Sequence, residues 1–131
     1  MKFNDFIGEV QHELELASEG EAVRASRAVL QTLGERLGHG EATDLASPLP
    51  MEIDRFPTAT VDEHGQQFTW DEFIDRVAQR ANVEEADAAY YAQAIIAIVH
   101  DLEPEGEFEE IKTQLPDDFE ELWALTEKQP A

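Results

Sequence analysis

The most constraining feature of this sequence is a pattern of apolar and turn residues that occurs twice, 66 positions apart. The first apolar stripe of each half instead recurs at an offset of 67, which indicates a one-residue slip between the first two elements. Self-similarity at a fixed spacing is typical of proteins built from repeated supersecondary units. The sequence therefore predicts an all-α protein of two tandem, pseudo-symmetric helical repeats that share one core. The matched positions are Gly40/Gly106, Glu41/Glu107, Leu45/Ile111, Leu49/Leu115 and Pro50/Pro116.

The first copy has the periodicity of two longer helices followed by two short ones. Apolar residues at three- and four-residue steps predict helices over 3–17 and about 19–37. Ser18 and Glu21 have the spacing of a capping box, and Gly38 is placed to end the second helix in a left-handed conformation. A short helix over about 40–50 and a second one after Pro50 complete the unit.

The second copy repeats this order. Thr69 and Glu72 form a further capping box, and Asn82 is predicted to open the next helix. That helix contains a run over 88–99 that is apolar on nearly all sides, so it must be surrounded and we place it at the centre of the molecule, packed against 19–37. Two short helices follow, the last of which begins at Pro116.

These patterns divide the chain into four segments of one compact unit. They are repeat one over 1–56, a connector over 57–67, repeat two over 68–127 and a frayed tail over 128–131. In the connector, Thr58, Thr60 and Val61 can pair with 66–69 as a small hairpin, and an irregular connection is equally compatible with the sequence.

The chain is strongly acidic, with 30 acids, nine bases and a net charge of −21. Only three of the bases are lysines, and the acids are dispersed rather than gathered in one tail. Molar salt shortens the Debye length to about 3 Å and so screens the self-repulsion of such a surface. We therefore expect a protein of an extreme halophile that binds cations nonspecifically, and the competing interpretation is an acidic protein that docks on a basic partner. Nonspecific nucleic-acid binding is excluded because it requires a basic face.

Two further absences in the sequence exclude structural features, and the second of them bears on location. There is no cysteine, so disulfides and thiolate metal sites are excluded. No segment approaches the roughly 20 apolar residues of a membrane span, and the first residues lack the apolar core of a secretory signal. We expect a cytoplasmic protein without a membrane partner.

Four stretches carry a family resemblance, which covers nearly the whole chain. The sequence resembles the uncharacterised prokaryotic family known as domain of unknown function number 2267, in an extreme-halophile version. The resemblance implies a fold of two helical units and supplies no catalytic residues. The stretches are RAVLQTLGERL (27–37), GEATDLASPLP (40–50), FTWDEFIDRVAQRANV (68–83) and GEFEEIKTQLPDDFEELW (106–123).

No constellation of reactive residues is visible. The four histidines do not recur between the copies, and His12 lacks the second histidine that a helical zinc site places four residues later. Adjacent carboxylates are expected by chance among thirty acids, and none stands isolated in an apolar stretch where its pKa would rise. We therefore predict no catalytic residue, no metal site and no cofactor, and a protein that is not an enzyme.

The remaining candidates are basic and aromatic residues. Arg24 and Arg27 lie three apart on one predicted helix and Arg76 and Arg80 lie four apart on another, a spacing best explained by intramolecular ion pairs. The alternative is that they contact an anion or a partner between the repeats. Of two adjacent tyrosines one must face the core, which leaves the other for a partner. The speculative interaction surface comprises Arg24, Arg27, Tyr90, Tyr91 and His100.

The function itself is not encoded in any motif. The leading hypothesis is a non-enzymatic helical interaction or adaptor module that binds an unknown protein or self-associates. The alternative hypothesis is a protein that binds a small ligand or a cation in the cleft between the repeats.

Overall fold

The protein is all-helical over the residues that the computed structural model describes, 1–59 and 64–126, and no strand occurs among them. This confirms the all-α part of the predicted fold class. Three α-helices and a 3₁₀ helix are followed by the same succession a second time. The α-helices are α1 (Phe3–Glu13), α2 (Glu19–Arg36), α3 (His39–Ala46), α4 (Trp70–Ala81), α5 (Glu85–His100) and α6 (Glu105–Thr113); the 3₁₀ helices span Ile53–Arg55 and Asp117–Trp123.

The first two helices end differently from the sequence prediction. α1 stops at Glu13 rather than at residue 17, because Glu15 adopts a left-handed conformation with φ 53°. Ser18 caps α2 by accepting a hydrogen bond from the Glu21 amide. The Glu21 carboxylate, however, accepts a hydrogen bond from the backbone amide of Ala17 rather than from that of Ser18, so the second bond of the predicted capping box is shifted by one residue. The prediction of a left-handed Gly38 is wrong, since its backbone is extended (φ −66°, ψ 161°) and it precedes α3.

α4 begins and ends at well-defined caps. The predicted capping box is confirmed, because Thr69 and Glu72 exchange side-chain to backbone hydrogen bonds. The Glu72 carboxylate accepts hydrogen bonds from the Thr69 amide and from the Thr69 hydroxyl, and these bonds, the first more than the second, lower the pKa of Glu72. Asn82 does not open α5 as predicted; it ends α4 in the left-handed conformation (φ 59°, ψ 50°) that asparagine tolerates, and α5 begins after Glu84.

The core is one continuous apolar cluster to which both halves of the chain contribute. α5 is buried along most of its length and contacts α1, α2, α4 and the second 3₁₀ helix, as expected for its apolar run. α2 is equally central, and it packs most extensively on α4 rather than on α5. The rings of Trp70, Phe73 and Phe119 lie 5.5–5.6 Å apart and close the core between α4 and the second 3₁₀ helix.

Two carboxylates of the second 3₁₀ helix hold the start of α4. Asp118 accepts a hydrogen bond from the backbone amide of Trp70 at 2.7 Å, and Glu121 accepts one from its indole nitrogen at 3.0 Å. An acid at a helix N-terminus satisfies a free amide and interacts favourably with the helix dipole. These members of the acidic pairs therefore have a structural role.

The connector closes the C-terminal end of α2. The amides of Gly65 and Gln66 donate to the carbonyls of Leu37 and Glu35 at 2.8 and 2.9 Å. Residues 66–69 thus form no strand, and the other half of the predicted hairpin, at Thr60 and Val61, lies outside the described residues.

Gly34 of α2 lets the start of the connector, at Pro57, lie close to the helix backbone. A Cβ at this position would overlap the backbone of Pro57. Only glycine allows the segment after the first 3₁₀ helix to lie directly on the helix backbone.

Candidate functional site

The five residues of the predicted interaction surface lie in separate surroundings. Arg24 and Tyr91 line one small cavity, whereas Arg27 lines a different groove. Tyr90 is 44% exposed, and its hydroxyl donates to the Glu13 carbonyl at 3.3 Å. The structure therefore brings only two of the five residues together.

The cavity beside Arg24 has a volume of about 200 Å³ and lies where α2, α4 and α5 meet. The Nε of Arg24 donates to the Arg80 carbonyl at 3.2 Å, so this arginine satisfies the free C-terminal end of α4. Tyr91 packs against the core, which confirms that one tyrosine faces inward. Burial, and then the charges of Asp87 and Glu21, raise the pKa of Tyr91.

His100 lies elsewhere, at the end of α5. Its ring meets the edge of Phe108 at a centroid distance of 4.5 Å, and its Nδ1 lies 3.6 Å from the carboxylate of Asp101. Contact with the core ring of Phe108 accounts for the half-buried position of this imidazole. No other histidine lies in contact with it in the described part of the chain.

A buried ionic cluster joins α2 to α4. The Glu35 carboxylate, only 1% exposed, pairs with Arg76 at 3.2 Å and with Arg80 at 3.0 Å. Arg80 also donates to the Thr32 hydroxyl at 2.8 Å, and Arg76 donates to the Gln66 side chain at 3.0 Å. The predicted ion pairing is thus confirmed for both arginines of α4. Charged groups with satisfied hydrogen bonds fill the contact between the two halves, which makes this contact a structural joint.

The ion pairs predicted for Arg24 and Arg27 are not found. Neither guanidinium has a carboxylate within 4.0 Å among the described residues. Arg24 binds a backbone carbonyl instead, and Arg27 lies over the ring of Phe56 at 5.3 Å.

Arg27 belongs to a groove formed by α1, α2 and the chain around the first 3₁₀ helix. We call it the Arg27/Arg55 groove; its volume is about 450 Å³ and it is open to solvent. Apolar side chains of Phe3, Val23 and Phe56 form part of its lining, and Phe56 is 7% exposed. The full lining is Phe3, Val23, Arg27, Gln31, Glu52, Arg55, Phe56 and Ala59.

The charge of this groove is opposite to that of the protein. It holds two arginines and one glutamate, in a chain with 30 acids and nine bases. Within the described ranges Arg55, like Arg27, forms no ion pair. Arg24 and Arg36 also form no ion pair in the described part of the chain but donate to backbone carbonyls, whereas Arg27 and Arg55 lie together in one concavity.

The edge of the groove carries an unusual backbone and an exposed apolar side chain. Glu52 has φ 78° and ψ −45°, a positive-φ conformation that side chains rarely adopt and that costs about 1–3 kcal/mol. The preceding residue, Met51, is 76% exposed. Strained backbone and exposed methionine are both features that recur at binding surfaces.

A second buried acid, Glu103, does not line the groove. Glu103 is 8% exposed, and neither carboxylate oxygen has a hydrogen-bond partner among the described residues. Burial raises its pKa to about 8, with further contributions from the negative charges of Glu107 and Asp44. The prediction that no acid would be buried with a raised pKa is therefore wrong for Glu103.

Other surface features offer less to a ligand. A concavity of about 750 Å³ is lined only by α1 and the turn after it, so it is a shallow surface beside one helix. His39 and His64 meet edge to face at 5.2 Å, and the Nδ1 of His64 lies 2.7 Å from the Gly34 carbonyl. In the part of the chain that the structure describes, no three histidine or acidic side chains are arranged to hold a metal ion.

Comparison with known sequences identifies the class of protein. The profile of an uncharacterized conserved protein family, DUF2267, matches residues 3–122. The chain belongs to this family, as its sequence pattern indicated. Comparison with curated proteins finds no similar sequence. None of the helices in the described ranges has the length and apolar character needed to cross a membrane.

Proposed function

We propose that this protein is a non-enzymatic interaction module and that the Arg27/Arg55 groove is its binding surface. One observation carries the proposal: two arginines without carboxylate partners in the described chain lie beside apolar side chains, in a protein of charge −21. An arginine left unpaired among so many acids is available to a partner's acid. Concave surfaces with an apolar lining and a few polar groups are typical of binding sites.

The proposal includes a scaffold of two tandem helical repeats. The helical elements occur in the same order twice, and α1 packs on α2 as α4 packs on α5. In this scheme the Glu35 cluster fixes the two units to each other. The binding surface then belongs to the outer side of the first unit rather than to the cleft between the units.

We further propose a cytoplasmic protein adapted to high salt. Its support is the acid excess and the scarcity of lysine, three of nine bases. In molar salt, long-range steering is screened, but charges in direct contact and apolar burial still contribute to binding. The groove combines both of these contributions.

A second candidate function is the binding of a small ligand between the units, at the cavity lined by Arg24 and Tyr91. It is favoured by the semi-enclosed shape of this cavity. Its volume of about 200 Å³ lies below the roughly 300–1,000 Å³ of typical ligand sites, and the Glu21 carboxylate in its lining disfavours an anion. We therefore place it second.

The experiment that separates the two candidates uses three forms of the full chain as bait in an extract of the host organism, in salt of about 1 M. These are the wild type, R27A/R55A and R24A, and each recovered protein is purified and titrated against all three. We expect a partner whose affinity falls about tenfold or more with R27A/R55A and stays unchanged with R24A. Equal affinity for all three forms, or the absence of any partner, would contradict the proposal. A loss confined to R24A would favour the small cavity.

A further inference from the structure

The chemistry of the groove also specifies what it recognises. We infer that the Arg27/Arg55 groove takes an acidic segment of a protein partner, in which carboxylates flank a large apolar side chain. This inference rests on the proposed function and adds the class of partner to it.

The apolar half of the recognition is provided by Phe3, Val23 and Phe56. These three side chains come from α1, α2 and the end of the first 3₁₀ helix, so the elements that form the groove are fixed by the core behind them. The volume of about 450 Å³ lies within the range of pockets that bury a ligand. Phe56 is only 7% exposed, so an apolar side chain of a partner would mainly cover the partly buried Phe3 and Val23.

The charged half is provided by Arg27 and Arg55. The guanidinium of Arg27 lies 5.3 Å from the centre of the Phe56 ring, a contact that restricts its position. A guanidinium held in this way still presents N–H groups at its edge, and it binds a carboxylate through two parallel hydrogen bonds. With two guanidinium groups and one glutamate, the groove attracts an acidic partner, whereas the rest of the acidic surface attracts a basic one.

The shape of the surface favours a chain segment over a compact ligand. The groove is open to solvent, and Met51, next to the lining residue Glu52, adds a 76% exposed apolar side chain. A second copy of the protein is disfavoured as occupant, because the large apolar side chains exposed in the described chain are Met1, Met51 and Tyr90, and none of them is flanked by acids on both sides. The occupant is therefore a different, extended acidic chain.

Glu52, the acid in the groove lining, allows the predicted negative charge of the partner to be tested. Its carboxylate lines the same concavity as the two arginines and would repel the acids of the proposed partner. Removal of this charge in Glu52→Gln is expected to strengthen the binding of an acidic peptide, by about twofold to threefold.

The experiment measures fluorescence anisotropy of labelled peptides with the full chain. The acidic apolar probe repeats the unit Asp-Leu-Phe-Asp; one control replaces each Asp by Asn, a second replaces Leu and Phe by Ser, and a third replaces each Asp by Lys. We expect binding of the first probe only, weakened about tenfold or more by R27A/R55A, less by R27K/R55K and not by R24A. Glu52→Gln should act in the opposite direction.

Three results of this experiment would overturn the inference of an acidic partner segment. Equal binding of the Asn probe, preference for the Lys probe, or absence of binding by all four probes would overturn the inference. Circular dichroism will show whether R27A/R55A folds. If it does not, the binding of the four probes by the wild type and by Glu52→Gln still tests whether the groove prefers an acidic segment. A host protein that binds through the groove by a basic or neutral segment would refute the acidic class of partner and leave the proposed function intact.

Discussion

Glu103 gives the sharpest physical prediction, because its buried carboxyl changes charge between the folded and unfolded states. In the unfolded chain the carboxyl ionises near pH 4.5, whereas burial and the charges of Glu107 and Asp44 hold its folded-state pKa at about 8. Between these values the folded protein keeps a proton that the unfolded chain has lost. Stability from this group is therefore complete below pH 4.5, falls as the pH rises and is lost above about pH 8.

The size of the effect follows from the difference between the two pKa values. Each pH unit corresponds to about 1.4 kcal/mol, so the full interval amounts to about 4–5 kcal/mol. Local rearrangement that brings the ionised carboxylate to water reduces this value, and we expect about 2–4 kcal/mol. In Glu103→Gln the side chain cannot ionise. The variant should therefore match the wild type at pH 4.5 and exceed its stability by that amount at about pH 8.

Urea unfolding across this pH interval at constant salt measures the difference directly. Urea is preferred to guanidinium chloride because it leaves the ionic strength unchanged. Glu110→Gln is the matched control, since Glu110 is an exposed acid on α6 and its replacement should change stability by a constant amount. A stability difference between Glu103→Gln and the wild type that does not vary with pH, or that shrinks as the pH rises, would refute this reasoning.

Three further variants, with Gly8→Ala as a control for one of them, test the joint, a packing contact and the strained edge of the groove, each by chemical denaturation. Glu35→Ala leaves two arginines without their buried partner and should cost about 2–3 kcal/mol of stability. The cost is limited to this value because both arginines can still reach water. An effect below about 0.5 kcal/mol would contradict the structural joint. Gly34→Ala should cost about 3 kcal/mol or more, because the added Cβ overlaps the backbone of Pro57. Gly8→Ala, in open space on α1, should stabilise the protein by about 0.5–1 kcal/mol. Similar effects of the two variants would refute the close contact at Gly34. Glu52→Gly should stabilise by about 1 kcal/mol by relieving the positive φ, and destabilisation would show that the conformation is not strained.

Much of the fold could be predicted because it depends on local signals. Apolar periodicity located every α-helix, and the Thr69 box placed the start of α4 correctly. Helix ends were less predictable where one backbone conformation decides them. Gly38 and Asn82 are both residues that favour a left-handed turn, yet only Asn82 adopts it, and it ends a helix rather than starting one.

The site could be predicted only in part, because its residues are distant in the sequence. The spacing of Arg76 and Arg80 indicated ion pairs, but their common partner Glu35 was not identified. A signal for it existed, since Ala28, Thr32 and Glu35 lie on one buried stripe of α2. No comparable signal links Arg27 to Arg55. Their shared groove depends on how the chain turns after α3.

Amide hydrogen exchange of the full chain, with and without the partner recovered from the host, tests most directly where this protein binds. If the Arg27/Arg55 groove is the binding surface, protection should increase around residue 3, over 27–31 and over 52–59, and should stay unchanged along α4. Protection concentrated instead at the Arg24 and Tyr91 cavity, or along the contact between α2 and α4, would contradict this assignment.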